Sequence, residues 1–239
     1  AISRLEKDWA AYPVLHFSLA GGKHMEQERL ERYLLYILAD NESRFGIVCD
    51  SLDPNVRLLN LIKNVYVHTG KQVVVLIDEY DAPLLDVAHN DEQLDALRYT
   101  MRNFYSPLKD CEPMLRFVFL TGITKFSQLS IFSELNNIKD VSMDESYADI
   151  CGITQEELLS DMSDDIDELA RKLELGRDET ICELKRHYDG YHFCWPSPDV
   201  FNPFSLLNCF ADGKFESYWF GSGTPTYLIS MMRKYEFLP

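Results

Sequence analysis

The sequence has no long apolar run, no closely paired cysteines and few basic residues. A membrane-spanning helix needs about 20 consecutive apolar residues, and the chain contains no such run, so we expect no membrane partner. Its six cysteines form no C-x-x-C pair, which favours reduced thiols in a cytoplasmic protein over a disulfide framework or a zinc site. Asp and Glu outnumber Lys and Arg by 39 to 23, a formal net charge of −16. This acidity argues against a broad nucleic-acid-binding face, because the chain repels phosphate backbones.

A phosphate-binding loop is also missing. Such a loop, G-x-x-x-x-G-K-[ST], offers backbone N–H groups and a lysine to the phosphates of a nucleotide. Gly22-Lys23 follows an apolar run, but Phe17 stands in place of the first glycine and His24 in place of Ser or Thr. No other Gly-Lys pair is followed by Ser or Thr. The chain begins with Ala1 rather than Met, and we expect it to be a fragment of a longer protein.

Up to about residue 145, short apolar runs alternate with helical patterns. Runs rich in β-branched and aromatic residues predict strands over residues 13–19, 72–78 and 115–121, with a weaker candidate over 139–143. Five consecutive apolar residues in the second run indicate a strand buried on both faces of a parallel sheet. Helical stripes lie between the runs, the clearest over 94–108, and a short helix is expected near 131–136. We therefore predict a doubly wound α/β sheet over residues 1–145.

After residue 150 only helical patterns are clear. Thr154 and Glu157 have the spacing of a capping box, in which each side chain satisfies a free backbone N–H group at the start of a helix. Asn202-Pro203 is a typical helix start, and Gly176 is expected to end a helix. We predict a small helical subdomain over 150–239.

Two adjacent carboxylates, Asp78 and Glu79, end the second predicted strand. Ligands of open α/β sheets bind outside the carboxyl ends of the strands. Asp78 could hold Mg²⁺, which prefers oxygen ligands and keeps several waters, and Glu79 could orient or deprotonate an attacking water. This is the Walker B pattern of P-loop ATPases with a catalytic Glu. The alternative is a strand that simply ends in a polar turn.

Thr121 ends the neighbouring strand. In such ATPases this strand delivers a polar residue that contacts the γ-phosphate or its water, so we predict that role for Thr121. Thr124 and Lys125 follow closely, and we assign both to nucleotide binding. The alternatives are that Thr121-Gly122 is merely a turn and that Lys125 is solvated.

Several segments carry a family resemblance. The two most specific are DEYDAPL at residues 78–84 and YDGY at 188–191, and others are LEKDW at 5–9, TGITKFS at 121–127 and FNP at 201–203. Together they resemble the AAA-ATPase-like proteins of Bacteroides and related anaerobes, over nearly the whole chain. Members of that family look like P-loop ATPases with a helical lid, and many continue into a nuclease-like domain. Their phosphate loop lies upstream of the region that matches residues 5–7.

The resemblance implies a segment of a Mg²⁺-dependent ATPase. Residues 1–145 would be the sheet core of a P-loop ATPase without its first strand, and 150–239 the lid. In the full-length protein Asp78 would hold Mg²⁺, Glu79 would position water and Thr121 would sense the γ-phosphate of ATP, whereas this fragment would be inactive. Nucleic acid would be a partner only through a C-terminal domain outside this chain. The sequence leaves open whether the protein forms a homo-oligomer in which a neighbouring subunit supplies an arginine.

Two expectations allow this interpretation to be tested. The family strand order 5-1-4-3-2 predicts that 73–78 pairs in parallel with both 14–19 and 115–121, which brings Asp78 and Thr121 to one sheet edge. Strand 139–143 would lie one vacant position from 115–121, about 9–10 Å away. The competing interpretation is a protein-interaction module on a degenerate ATPase fold that binds without hydrolysis.

Overall fold

The computed structural model describes residues 7–21, 26–88, 90–123 and 137–219. The chain divides into two compact units, residues 1–139 and 140–239, whereas the sequence predicted an α/β core over 1–145 and a helical subdomain over 150–239. Each unit is described by itself.

The first unit is a mixed α/β structure. Its described residues form three strands and five α-helices: β1 (Val14–Ser18), α1 (Gln27–Phe45), α2 (Pro54–Thr69), β2 (Val73–Asp78), α3 (Ala82–Leu85), α4 (Asp91–Tyr105), α5 (Pro107–Asp110) and β3 (Leu115–Leu120). A 3-10 helix, Glu112–Met114, precedes β3. Helix boundaries follow local sequence. Asp53 accepts a hydrogen bond from the N–H of Asn55 and so caps α2 ahead of Pro54, and Gly70 ends the helix in the left-handed conformation.

The three strands form one parallel sheet in the order β1-β2-β3. Ser18 lies opposite Asp78, and Ile77 lies opposite Leu120. The predicted parallel pairing of the second strand with both the first and the third is therefore confirmed.

The prediction of a strand over 139–143 was wrong. Ser142 donates its backbone N–H to Oδ1 of Asp140 at 2.9 Å, and Asp144 donates to the carbonyl of Val141 at 3.2 Å. These local bonds turn the chain and compete with the bonds of a β-ladder, as is usual for Asp and Ser. The helix expected near 131–136 lies outside the described residues.

Helices pack against one face of the sheet. Phe17 and Val75 point into this core, where the ring of Phe17 meets Phe104 of α4 edge to face at 6.2 Å. The opposite face is only partly covered in the described residues: Val74 and Leu76 are half-buried. The expectation that β2 is buried on both faces therefore holds fully for one face only.

The two edges of the sheet differ. Two side chains of α1 close the β1 edge: Asn41 accepts from the N–H of His16 at 3.1 Å and donates to its carbonyl at 2.9 Å, and Tyr33 donates to the carbonyl of Ser18 at 3.0 Å. On β3, the other edge strand among the described residues, Phe117 and Phe119 are 54% and 40% exposed. Their rings stack at 6.0 Å. The β1 edge is thus closed by side chains of its own unit, whereas Phe117 and Phe119, the register partners of Val74 and Leu76, leave the partly covered face of the sheet exposed at β3.

The second unit is mostly helical. Its described elements are β4 (Ile153–Thr154), α6 (Gln155–Asp161), α7 (Ser163–Leu173), α8 (Arg177–Tyr188), β5 (Val200–Phe201) and α9 (Pro203–Asp212). The capping box of Thr154 and Glu157 and the helix start after Asn202 are confirmed. Gly176 does not end a helix: Glu174 takes the left-handed position that ends α7, and Gly176 begins α8. The antiparallel pair β4–β5 was not predicted, because strands of two residues leave no periodic signal.

Candidate functional site

Three small polar side chains line up where the strands end. Ser18 ends β1, Asp78 ends β2 and Thr121 follows the last residue of β3. Ser18 is the register partner of Asp78, and the N–H of Thr121 donates to the carbonyl of Ile77 at 2.9 Å. Paired residues of neighbouring strands point to the same face, so the three form one polar row across the carboxyl edge of the sheet. This is the edge at which open α/β sheets bind ligands.

Asp78 is in contact with both of its predicted companions. The hydroxyl of Thr121 donates a hydrogen bond to Oδ1 of Asp78, and the backbone N–H of Glu79 donates to the same oxygen at 3.1 Å. All three residues are exposed. Since both hydrogen bonds fall on Oδ1, they leave Oδ2 of Asp78 as the oxygen of this carboxylate for a ligand.

Glu79 occupies an unusual backbone conformation. Its φ of 52° is left-handed, a region that costs a non-glycine residue about 1–3 kcal/mol and that occurs often at functional sites. The turn is held by surrounding bonds, because Ala82 donates to the carbonyl of Glu79 at 3.0 Å and Tyr80 donates to the carbonyl of Thr121 at 2.9 Å. The carboxylate of Glu79 stays exposed beside Asp78.

Buried groups support the turn from below. Asp81 is 1% exposed, and its Oδ2 accepts from the backbone N–H of Ile123 at 3.0 Å. The hydroxyl of Tyr105 donates to the carbonyl of Tyr80 at 3.2 Å. Burial holds the pKa of Tyr105 well above its usual value, and the negative charge of Asp81 adds to this effect. The buried side chains of Asp81 and Tyr105 thus fix the turn through hydrogen bonds to its backbone and to the loop after β3.

The oxygen atoms of this edge fit a magnesium ion that arrives with phosphate. Mg²⁺ is usually held through one or two carboxylates together with substrate phosphates and waters, and less often in an all-protein cage. Within the described residues, no group of three or more His, Cys, Asp or Glu side chains is placed to hold a metal. One carboxylate with a neighbouring hydroxyl matches the first arrangement.

The structure brings some of the predicted site residues together. Asp78, Glu79 and Thr121 meet at one edge, while Thr124 and Lys125 lie outside the described residues. Sequence reasoning missed Ser18 and Asp81. Ser18 could have been found from strand alignment, because it ends the neighbouring strand as Asp78 and Thr121 end theirs. Asp81 carried no signal beyond its place in the DEYDAPL segment, since its burial depends on the loop after β3.

An α/β fold with a parallel sheet and ligand-type side chains at its carboxyl edge defines a broad class of ligand-binding proteins. Residues 1–132 match the family described as "Predicted AAA-ATPase". The match covers more than half of the chain, and the chain therefore belongs to this AAA-ATPase-like family. In the parts of the chain that the structure describes, no helix is both long and apolar enough to cross a bilayer.

One relative extends the similarity over almost all of the sequence. The chain is 36% identical over 226 residues to a protein of Azotobacter chroococcum mcd 1 described as an uncharacterized protein in the vnfD 5' region. The alignment covers 94% of this chain and 42% of the relative, so the chain spans less than half of that protein's length. No solved structure matches the chain.

Proposed function

We propose that this chain is part of a cytoplasmic Mg²⁺-dependent ATPase that binds and hydrolyses ATP in the whole protein. The observation that carries the proposal is the meeting of Asp78, Glu79 and Thr121 at the carboxyl edge of a parallel sheet. Membership of the AAA-ATPase-like family supports nucleotide binding.

Each side chain has a proposed role in the reaction. Asp78 would hold Mg²⁺, directly or through its waters, and the bound ion would supply positive charge for the phosphoryl group. Glu79 orients or deprotonates the attacking water. Thr121, already bonded to Asp78, contacts the γ-phosphate or its water, and Thr124 and Lys125 contact the nucleotide.

The phosphate loop of this ATPase would come from sequence outside the 239 residues. Its strand would pair with the outer edge of β3, whose outward backbone groups need a partner. The exposed rings of Phe117 and Phe119 lie on the partly covered face of the sheet and favour an element that covers that face, since parallel sheets are usually covered on both faces. Residues 150–239 would form the helical lid. A further nuclease-like domain would provide any contact with nucleic acid, for which the net charge of −16 makes this chain unsuited.

Glu79→Gln in the whole protein tests the catalytic assignment. The substitution keeps the size of the side chain and removes the base, so we expect unchanged ATP binding and a loss of turnover of about 10²–10⁴-fold. Phosphate release in the steady state measures turnover, and calorimetry measures binding. Glu92→Gln, at an exposed position in the first turn of α4, removes the same charge away from the sheet edge and should change neither quantity.

The competing class is an interaction module that keeps the ATPase fold as a binding platform. It predicts that the whole protein releases no phosphate from ATP, so that Glu79→Gln changes nothing. Unchanged turnover in an active protein would instead show that Glu79 is not the catalytic base. The encoded chain upstream of residue 1 offers a second test, because the ATPase proposal requires a Gly-Lys-Ser/Thr segment there.

A further inference from the structure

Asp81 ties together the loops that follow β2 and β3. It lies three residues after Asp78 in the turn after β2, and its Oδ2 accepts from the N–H of Ile123 at 3.0 Å. A parallel bond runs between the same two loops from the N–H of Tyr80 to the carbonyl of Thr121 at 2.9 Å. The two bonds flank Gly122, so the loop after β3 is held against the turn after β2 on both sides of this residue.

Gly122 allows this close approach. A Cβ atom at position 122 would lie 2.6 Å from Oδ1 of Asp81 and 2.6 Å from Cε1 of Tyr80, distances that real Cβ atoms essentially never show. Both neighbours are buried, with Asp81 at 1% and Tyr80 at 5% exposure. A side chain at 122 would therefore push the loop away from the turn.

A buried carboxylate destabilises the folded state unless hydrogen bonds compensate for its lost contact with water. An ionised group is expensive to remove from water unless hydrogen bonds compensate for its lost hydration, and a hydrogen bond from a backbone N–H to a carboxylate is stronger than one to a neutral acceptor. Asp81 makes such a bond to the residue that lies two positions after Thr121. This bond holds the backbone next to the residue that carries the Thr121 hydroxyl.

We propose that Asp81 is a positioning residue that sets the contact between Thr121 and Asp78. It does not touch the reacting groups: it fixes the loop after β3, the loop fixes the Thr121 side chain, and Thr121 orients the Asp78 carboxylate. The inference rests on the proposed ATPase function for its catalytic consequence, but its structural part stands without that function.

Hydrogen exchange in the whole protein tests the structural part. In Asp81→Ala the N–H of Ile123 loses its charged acceptor, and we expect its exchange to become about tenfold faster or more, with a smaller increase at Thr121. Asp81→Asn keeps an amide oxygen where the carboxylate was and should restore exchange to within about threefold of the original rate. Asn41→Ala, at the sealed β1 edge on the far side of the sheet, is the matched control: it removes another buried polar side chain and should leave Ile123 exchange unchanged relative to global opening.

Steady-state kinetics in the whole protein tests the catalytic part. A misplaced Thr121 impairs the transition state more than ATP binding, so we expect Asp81→Ala to lower kcat about tenfold or more while KM changes less than about threefold. Asp81→Asn should recover most of kcat. If Asp81 only stabilised the fold, Asp81→Ala would lower the concentration of folded protein, as Asn41→Ala does. The kcat per folded molecule would then be unchanged in both variants.

The outcomes separate the two proposals. Unchanged Ile123 exchange in Asp81→Ala would overturn the positioning role, whether or not the protein hydrolyses ATP. Faster exchange in a protein without ATPase activity would keep the link between the loops and overturn the proposed function. Faster exchange with unchanged kcat in an active enzyme would show that the contact between Thr121 and Asp78 does not matter for turnover, and would overturn the catalytic consequence.

Discussion

At the scale of single residues, buried hydrogen bonds fix the turn that carries the exposed carboxylates of the candidate site. The Tyr105 hydroxyl is fully buried, close to the Asp81 carboxylate, and its bond to the carbonyl of Tyr80 fixes the residue that follows Glu79. A phenol in these surroundings stays neutral, because burial and the charge of Asp81 hold its pKa well above the usual value. Stability at alkaline pH therefore depends in part on this group.

Tyr105→Phe should expose that dependence. In the unfolded chain Tyr105 ionises near pH 10, while in the folded chain it keeps its proton to higher pH, so the stability it provides is fully present below about pH 10 and is lost as pH rises further. At about pH 8 the substitution should cost about 1–3 kcal/mol, because the Tyr80 carbonyl loses its donor. Urea unfolding should show this difference shrinking at about pH 11.

The exposed ring of Tyr99 on α4 provides the control. Tyr99→Phe should change the free energy of unfolding by less than about 0.5 kcal/mol at pH 8. A difference between the original protein and Tyr105→Phe that stays constant up to pH 11 would contradict the buried neutral phenol.

At the scale of elements, the sequence predicted the strands and helices that have a clear periodic pattern of apolar residues. The three long strands and the capping box at Thr154 were placed correctly. The helical stripe predicted over 94–108 falls on α4 and α5, which are separate helices, and the short helix α3 was not predicted. The strand over 139–143 was not, because the side chain of Asp140 offers the backbone of Ser142 a local bond that an apolar pattern does not reveal. The contact between Asp78 and Thr121 was expected from parallel pairing. The link from Asp81 to Ile123 joins two loops beyond the paired strands, where no pairing pattern predicts it, and it needed the structure.

Asn41 shows how one side chain can close the edge of a sheet. Its amide imitates a neighbouring strand by bonding both the N–H and the carbonyl of His16, and it is 1% exposed. Asn41→Ala leaves two backbone groups of β1 without these partners and should lower the free energy of unfolding by about 2–4 kcal/mol.

Urea unfolding of Asn41→Ala measures this cost. Asn64→Ala is the matched control, since Asn64 makes a single bond to the preceding turn of α2 in a partly exposed position, and its substitution should cost less than about 1 kcal/mol. Equal losses in the two variants would show that the bonds to His16 do not stabilise the β1 edge.

At the scale of the whole molecule, the sheet has one sealed edge and one that the described residues leave open. Thr121 bonds to β2 through its N–H, and alternate residues of a parallel strand bond to opposite neighbours, so the N–H groups of Val118 and Leu120 point to the outer edge. Unpaired edge groups are usually covered by another element. The relative is more than twice as long as its aligned part.

Nucleotide affinity should therefore differ between this chain and the whole protein. The 239 residues contain Asp78, Glu79 and Thr121 but no G-x-x-x-x-G-K-[ST] segment, so the backbone N–H groups and lysine that cradle phosphates are missing. We expect calorimetry to show little or no binding of Mg-ATP to the 239-residue chain and micromolar binding to the whole protein. Asp78→Asn in the whole protein should weaken binding in the presence of Mg²⁺ more than in its absence, since it removes the metal's carboxylate. Micromolar binding by the 239-residue chain alone would mean that the phosphate loop is not required or that ATP binds at another site. An unchanged Mg²⁺ dependence of binding in Asp78→Asn would show that ATP binds at another site.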